Sequence, residues 1–384
     1  MTEDVPLLQI ENLTVDFPVG RKPLFGQQAQ LRAVDRVSLE MTDHQTLGVV
    51  GESGSGKTTL ARSIVGLNEV SGGSIRFHGE ELTDVSSSRL KELRSSMQMV
   101  FQDPYSSLDP SWRVEDIVGE PLTVHERGLS KSQRRDRVLE AIRRVGLEHY
   151  HLERYPHEFS GGQRQRVAIA RAIVVRPSFI LFDEAVSSLD VSIRSAIINL
   201  IREIQNDLGT AYFFIAHDLA LVRHISDRIA VMYLGNVVEE GPAKRVYEQP
   251  AHPYTEALLS AVTNVHAKQI RERIVLTGEI PSPLNPPGGC RFHTRCPYVM
   301  DVCRTVEPEP HSAEGGGAAA CHLHTEGPKL GGHTVLGFSP TEMNEVLPQT
   351  DGSGAPRHAG ALGSRIDDVP AAPRREDGDA DDTR

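Results

Sequence analysis

The chain has 384 residues, 39% of them hydrophobic and 24% charged. That is length for two domains, or one large domain with appendages, and enough apolar material to exclude a wholly disordered protein. Acidic residues outnumber basic ones 52 to 41, a formal charge of −11, which disfavours nucleic acid as the main partner. No apolar run approaches the ~18–20 residues that span a bilayer. The most apolar stretch, residues 167–182, is broken by Arg171 and Arg176. The N-terminal MTEDVPLLQI carries acids where a secretory signal would be basic, so a soluble cytosolic protein is expected. The 34 Arg against 7 Lys reflect genomic base composition more simply than phosphate recognition.

From residue 6 to about 263, short apolar runs alternate with helical patterns, as in an α/β domain. Residues 46–50 (TLGVV) read as a buried strand. Leu60, Ile64 and Leu67, at i, i+4, i+7, read as a helix packed on the sheet. Between them GESGSGKT at 51–58 matches G-x4-G-K-[ST] in the strand–loop–helix context that pattern requires. Gly51, Gly54 and Gly56 let the backbone fold round a phosphate, and successive N–H groups form an anion nest at a helix N-terminus. Lys57 can reach the β- and γ-phosphates and the Thr58 hydroxyl can ligate Mg²⁺. Ser53, Ser55 and Thr59 complete the expected contacts of this loop.

Gln102 follows the apolar QMVF run and offers a neutral side chain that can reach Mg²⁺ or an attacking water. FSGGQ at 159–163 opens a helix expected over 163–175, so Ser160, Gly161, Gly162 and Gln163 make a second Ser/Gly nest. A chain with a full phosphate loop does not need that nest for the same nucleotide. The natural reading is that it closes over ATP held by another subunit. The strand 179–182 leads into Asp183, placed to hold Mg²⁺ through water, and Glu184, placed to orient or deprotonate the attacking water. Alone, two acids at a strand end are more often solvated; the phosphate loop in the same chain favours catalysis. Ile193, Ile197, Leu200, Ile201, Ile204 and Leu208 form the stripe of a long helix stopped by Gly209. The strand 211–215 follows, with His217 beyond it able to contact the γ-phosphate. Strands buried on both faces and joined by helices imply a mostly parallel sheet.

Residues 264–330 are rich in Pro, Gly and Cys and hold every cysteine of the chain, Cys290, Cys296, Cys303 and Cys321, spaced C-x5-C-x6-C-x17-C. Structural zinc favours closer pairs; iron–sulfur clusters accept four thiolates at varied spacings. Zinc, with His293, His322 or His324 replacing a thiol, and four unligated thiols stay open as alternatives. A segment this poor in apolar residues gains stability from a metal clip. Residues 331–384, ending REDGDADDTR, cannot bury enough apolar surface to offset ordering and are expected to be disordered.

Taken in order, these features resemble the ATP-binding subunit of ABC transporters over residues 6–263: the Walker A loop GESGSGKT, the Q-loop Gln102, the signature FSGGQ, Walker B FILFDE, the D-loop Ser187, Ser188, Leu189 and Asp190, and the switch His217. Phe159 stands where Leu is usual and Ser188 where Ala is usual; neither removes a functional group. The resemblance implies an α/β P-loop ABC ATPase domain over 1–263. It would comprise a RecA-like core, an antiparallel β subdomain and a helical subdomain at about 103–165, followed by the Cys-rich extension and tail. It implies ATP stacked on Phe17, Mg²⁺ held by Thr58, Gln102 and Asp183, contacts from Asp190, and catalysis by Glu184 with His217 and Gln102.

The stretches DPYSSLDPSW (103–112), HPYTEALLSAV (252–262) and GEIPSPLNPPGGCRFHTRCP (278–297) look like the ATPase subunits of oligopeptide/dipeptide importers. That group also includes nickel and some sugar-oligomer importers. Its C-terminal segment resembles one that carries a 4Fe–4S cluster, which would assign the four cysteines as ligands, with zinc as the alternative. The implied partners are a second ATPase subunit, identical or paralogous, two permeases docked near 103–120, and an extracytoplasmic peptide-binding protein, with no nucleic acid. The implied location is the cytoplasmic face of the cell membrane, held peripherally. The rival is a soluble ABC ATPase acting on ribosomes or DNA. Such proteins carry two ATPase halves or long coiled-coil insertions, and neither pattern is present. Exporters often fuse the ATPase to its membrane domain.

Overall fold

The computed structural model describes residues 5–20, 28–261, 274, 276, 278–327, 330, 334 and 335. In chain order its strands are β1 (Leu8–Pro18), β2 (Gln30–Met41), β3 (Thr46–Val50), β4 (Gly72–Phe77), β5 (Glu80–Glu81), β6 (Met97–Val100), β7 (Phe179–Asp183), β8 (Ala211–Ala216), β9 (Arg228–Tyr233), β10 (Asn236–Pro242), β11 (Pro310–Ser312) and β12 (Ala318–Ala320). They form an antiparallel sheet, β2-β1-β4-β5, and a larger one, β11-β12-β10-β9-β3-β8-β7-β6. In the larger sheet β6, β7, β8, β3 and β9 run parallel, as the doubly buried strands require.

Alternation along those strands builds two cores. Phe179, Leu181, Phe213 and Ile215 face the antiparallel sheet and Leu60 and Ile64 of helix α1 (Lys57–Ile64). Ile180, Phe182, Tyr212 and Phe214 face the opposite layer of helices. The helices between β4 and β7 are α2 (Ser87–Leu93), α3 (Pro104–Ser107), α4 (Val114–His125), α5 (Lys131–Arg144) and α6 (Gly161–Ile173). Next come α7 (Val191–Leu208), α8 (Leu219–Ile225), α9 (Ala243–Glu248) and α10 (Pro253–Ser260).

Two helix ends follow from single glycines. Gly209, at φ 67°, ends α7 where the stop signal stands, its N–H bonded to the Gln205 carbonyl. The α1 stripe ends early: Gly66 at φ 67° turns the chain, with Leu67 N–H bonded to the Arg62 carbonyl and Gly66 N–H to that of Ser63. Leu67 therefore leaves the helix and is 52% exposed instead of packing on the sheet.

The C-terminal extension is not a bystander to the main sheet. The β11–β12 hairpin pairs onto β10, with Glu239 opposite Ala319 and Glu240 opposite Ala318. Behind this join Glu239 is fully buried against Arg245 and accepts N–H bonds from Ala251 and His252 at 2.8 and 2.9 Å. The extension's own core is small: Tyr298, Cys321, Leu323, Leu330 and Val335. Val335 N–H and the Thr334 hydroxyl donate to the Pro250 carbonyl; these two described residues fall within 331–384, the expected disordered tail. The remainder of that tail lies outside the described residues.

Candidate nucleotide site and cysteine cluster

The site lies at the carboxyl ends of four adjacent parallel strands, where open α/β sheets bind ligands. The phosphate loop leaves β3, His217 follows β8, Asp183 and Glu184 end β7, and Gln102 follows β6. Gly56 caps α1 at φ 102°, and a Cβ there would meet the Ala33 carbonyl at 2.3 Å, so only glycine lets the loop close over β2. Lys57 is 4% exposed and donates to the Gly51 and Glu52 carbonyls at 2.8 and 2.9 Å. Burial lowers its pKa, against the pull of Glu184, Asp183 and Glu52.

Thr58 Oγ1 donates to Asp183 Oδ1 at 2.9 Å. Burial raises the Asp183 carboxyl, opposed by the Thr58 hydrogen bond and the charge of Arg62. Glu184 takes a left-handed φ of 48°, an uncommon backbone for a non-glycine residue. Its carboxylate is held on both sides: Gln102 Nε2 donates to Oε2 at 2.8 Å, and His217 Nδ1 lies 3.1 Å from Oε1. The two residues flanking the acid come from strands on either side of β7.

A cavity of about 360 Å³ is lined by Phe17, Ser53, Gly54, Ser55, Gly56, Lys57, Thr58, Thr59, Gln102 and Glu184, among others. The structure thus brings the expected loop residues, the expected aromatic and the acid–amide pair to one space. Gly51, Asp183 and His217 stand behind it, joined to lining residues through Lys57, Thr58 and Glu184, and Ser160, Gly161, Gly162, Gln163 and Asp190 do not line it. Ser160 instead caps α6 in a reciprocal box with Gln163, at 3.3 and 3.0 Å. Gly162 is needed for packing as well, since a Cβ would lie 2.6 Å from Ile193. Leu234, Gly235 and Pro283 also line the cavity, although no sequence pattern pointed to them.

Cys303 and Cys321 are buried and Cys290 and Cys296 half-buried, all as free thiols. Burial pushes Cys290 up to about 11 and the other three up as well. Cys296 feels the charge of Cys321, Cys290 and Cys303, so the four lie within electrostatic reach of one another. Among the described residues, however, no three His, Cys, Asp or Glu side chains are gathered so as to hold a metal ion. His293, His322 and His324 each turn a ring nitrogen to a backbone carbonyl, of Cys290, Val306 and Ala251.

A phosphate loop, a buried acid hydrogen-bonded to the loop's threonine and a carboxylate clasped by Gln and His, all at one sheet edge, define a P-loop ATPase. The ABC transporter family profile matches residues 34–187, and that of the oligopeptide/dipeptide transporter C-terminal region matches 238–303. A di/tripeptide transport ATP-binding protein of Pseudomonas aeruginosa is 46% identical over 83% of this chain and 98% of its own. An oligopeptide transport ATP-binding protein of Bacillus subtilis is 46% identical with the same coverage. Among solved structures, a dimeric ATP-binding cassette bound to ADP and Pi covers 62% of this chain and 98% of its own, at 28% identity and TM-score 0.55. A Clostridium perfringens cassette, part of an ABC transporter complex, gives 29% and 0.55, over 63% of this chain and 90% of its own. The chain belongs to the ATP-binding subunits of the ABC transporter family.

Proposed function

We propose that this chain is the energy-coupling ATPase of a membrane importer for oligopeptides or dipeptides. One observation carries the reading: likeness to peptide-transport ATP-binding proteins runs through both the nucleotide site and the C-terminal region. In this reading Phe17 stacks on adenine, and the backbone N–H groups of residues 51–59 with Lys57 hold the phosphates. Thr58, Asp183 and Gln102 would hold Mg²⁺, which would supply positive charge to offset that of the triphosphate. Glu184 takes the proton of the attacking water, with its carboxylate aimed by Gln102 and His217, and His217 reaches the γ-phosphate. The site residues of α6 and the D-loop, standing off this cavity, serve ATP bound by a second ATPase subunit.

Permease docking falls on a groove of about 370 Å³ between the end of α1, β6 and α4, lined by Leu67, Met99, Phe101 and Val124. Phe101 adjoins Gln102, so movement of a docked helix is passed to the residue that aims Glu184. Tyr105 and Trp112, 64% and 42% exposed, offer further aromatic contacts for the permease within 103–120. Among the described residues no helix is long and apolar enough to cross a membrane. That fits a peripheral subunit on the cytoplasmic face, joined to separate permeases and served by an extracytoplasmic binding protein.

We assign Cys290, Cys296, Cys303 and Cys321 to one 4Fe–4S cluster. Burial raises all four thiols, and neighbouring cysteines raise Cys290, Cys296 and Cys321 further, so a positively charged partner is needed to ionise them, and a cluster takes four thiolates without requiring them to converge on one ion. Anaerobically purified protein should carry about four iron and four sulfide per chain; zinc in their place overturns the assignment. For transport, the complex with its permeases in liposomes should hydrolyse ATP faster when a peptide-loaded binding protein is added. Stimulation by nickel and not by peptides overturns the substrate.

A further inference from the structure

Two arginines of the loop between Cys290 and Cys296 reach the nucleotide site. Arg295, 9% exposed, forks onto Glu52, Nη1 to Oε2 at 2.6 Å and Nη2 to Oε1 at 3.0 Å, the paired geometry in which guanidinium and carboxylate bind most strongly. Glu52 is the second residue of the phosphate loop. Its N–H donates to the Tyr254 hydroxyl at 2.9 Å, and its carbonyl accepts from Lys57 at 2.9 Å and from Ser55 N–H at 3.2 Å. Side chain, N–H and carbonyl of this one residue are all tied. Arg295 is itself seated beside Tyr233, whose ring packs edge-on against Tyr254 and Phe292 at 4.7 and 5.3 Å.

Arg291 grips the neighbouring wall. It donates to the Leu234 carbonyl and to the Asp35 carboxylate. Leu234 and Gly235 line the nucleotide cavity, and Gly235 N–H bonds the Ser55 carbonyl at 2.9 Å. Pro283 of the same extension lines the cavity directly.

A carboxylate inside an anion-binding loop is out of place unless something offsets it. Free, Glu52 would repel a triphosphate and compete for Lys57. We propose that Arg295 is a positioning residue for ATP: by pinning and neutralising Glu52 it presets the phosphate loop, so nucleotide affinity depends on the folded Cys290–Cys296 loop. This rests on reading 51–59 as the ATP-phosphate site, and Lys57→Ala tests that reading separately, since it must weaken binding whether or not Arg295 matters.

The full-length chain is titrated with a fluorescent ATP analogue and Mg²⁺, and KM and kcat are read in the assembled importer. Arg295→Ala should raise the Kd about tenfold, by lowering the share of loops competent to bind, and should move KM more than kcat. In a Glu52→Gln background, where no acid needs neutralising, the same change should cost less than about twofold, a non-additive pair. Arg295→Lys keeps the charge and the packed stem but loses the fork. It should raise Kd about threefold and speed hydrogen exchange at residues 51–56. Wild-type affinity in folded Arg295→Ala or Arg295→Lys, or an equal loss in both backgrounds, overturns the proposal. A wild-type chain that does not bind ATP, or a Lys57→Ala variant that binds normally, overturns the site reading instead.

Discussion

Around the phosphate loop the chain rests on apolar layers on both faces of the main sheet, with Val49, Leu60, Phe179, Phe182, Phe214 and Ile215 all at most 1% exposed. The cysteine segment has five buried apolar residues in its own core, lends Phe292, Ala313 and Ala319 to the apolar clusters beside it, and also fastens to the rest through directional contacts. These are Arg295 on Glu52, Arg291 on Asp35, and the hairpin beside the buried Arg245–Glu239 pair. Apolar burial is non-directional and indifferent to pH, whereas buried ion pairs fail sharply when one partner is lost or its charge changes. The two regions are therefore separable by perturbation, and the polar one should yield first.

The largest effect expected is chemical and leaves the apolar region intact. Glu184→Gln should lower ATP turnover of the assembled importer by about 10²–10⁴-fold, with ATP binding and thermal melting of the chain unchanged. Normal turnover would remove Glu184 from catalysis. Next, Arg245→Ala strands the fully buried Glu239 and should cost about 3–5 kcal/mol. Urea melts followed by protease sensitivity should show the loss at 236–320 before the ATPase core; simultaneous loss of both regions would refute the division. The most gradual effect, spread over several pH units, is protonic. Burial, with a contribution from the charge of His324, pushes His252 down to about 3, and its Nδ1 accepts from Tyr254 N–H at 3.0 Å, which requires the neutral ring. The unfolded chain binds this proton below about 6.5 and the folded chain only near 3. Stability is thus fully present above 6.5 and falls with acidification through that window, by at most ~1.4 kcal/mol per pH unit. His252→Asn keeps the helix cap and should flatten that dependence in denaturation curves; an unchanged slope would mean another group is titrating.

How much of this was legible depended on whether a residue type is rare in its role. The run from Gly51 to Thr58 could be read outright, because few other sequences place Gly, Lys and Thr so between a strand and a helix. Ser160 to Gln163 announced a helix N-terminus, and Gly209 a stop. Gly66 carries the same stop signal, but the stripe through Leu67 predicts a helix about a turn longer than α1. Gln102 and His217 could be placed in order along the chain, but that both would touch Glu184 depends on β6 and β8 flanking β7, a matter of strand order. Arg291 and Arg295 were least visible. In a chain with 34 arginines one more carries no signal, and their carboxylate partners lie over 240 residues away. The β11–β12 hairpin, three residues a side, is too short for any periodicity.

That hairpin also sets a schedule for biosynthesis. Strand β10 is made well before its neighbour: Glu239 waits for Ala319, about 80 residues further on, which at roughly 5–20 residues per second is about 4–16 s of translation. Through that interval the nascent sheet ends in an unpaired edge, the feature of β proteins most open to pairing with the wrong chain. The Cys-rich segment closes it from the far end of the polypeptide, so completion of the fold is reported only once that segment has left the ribosome.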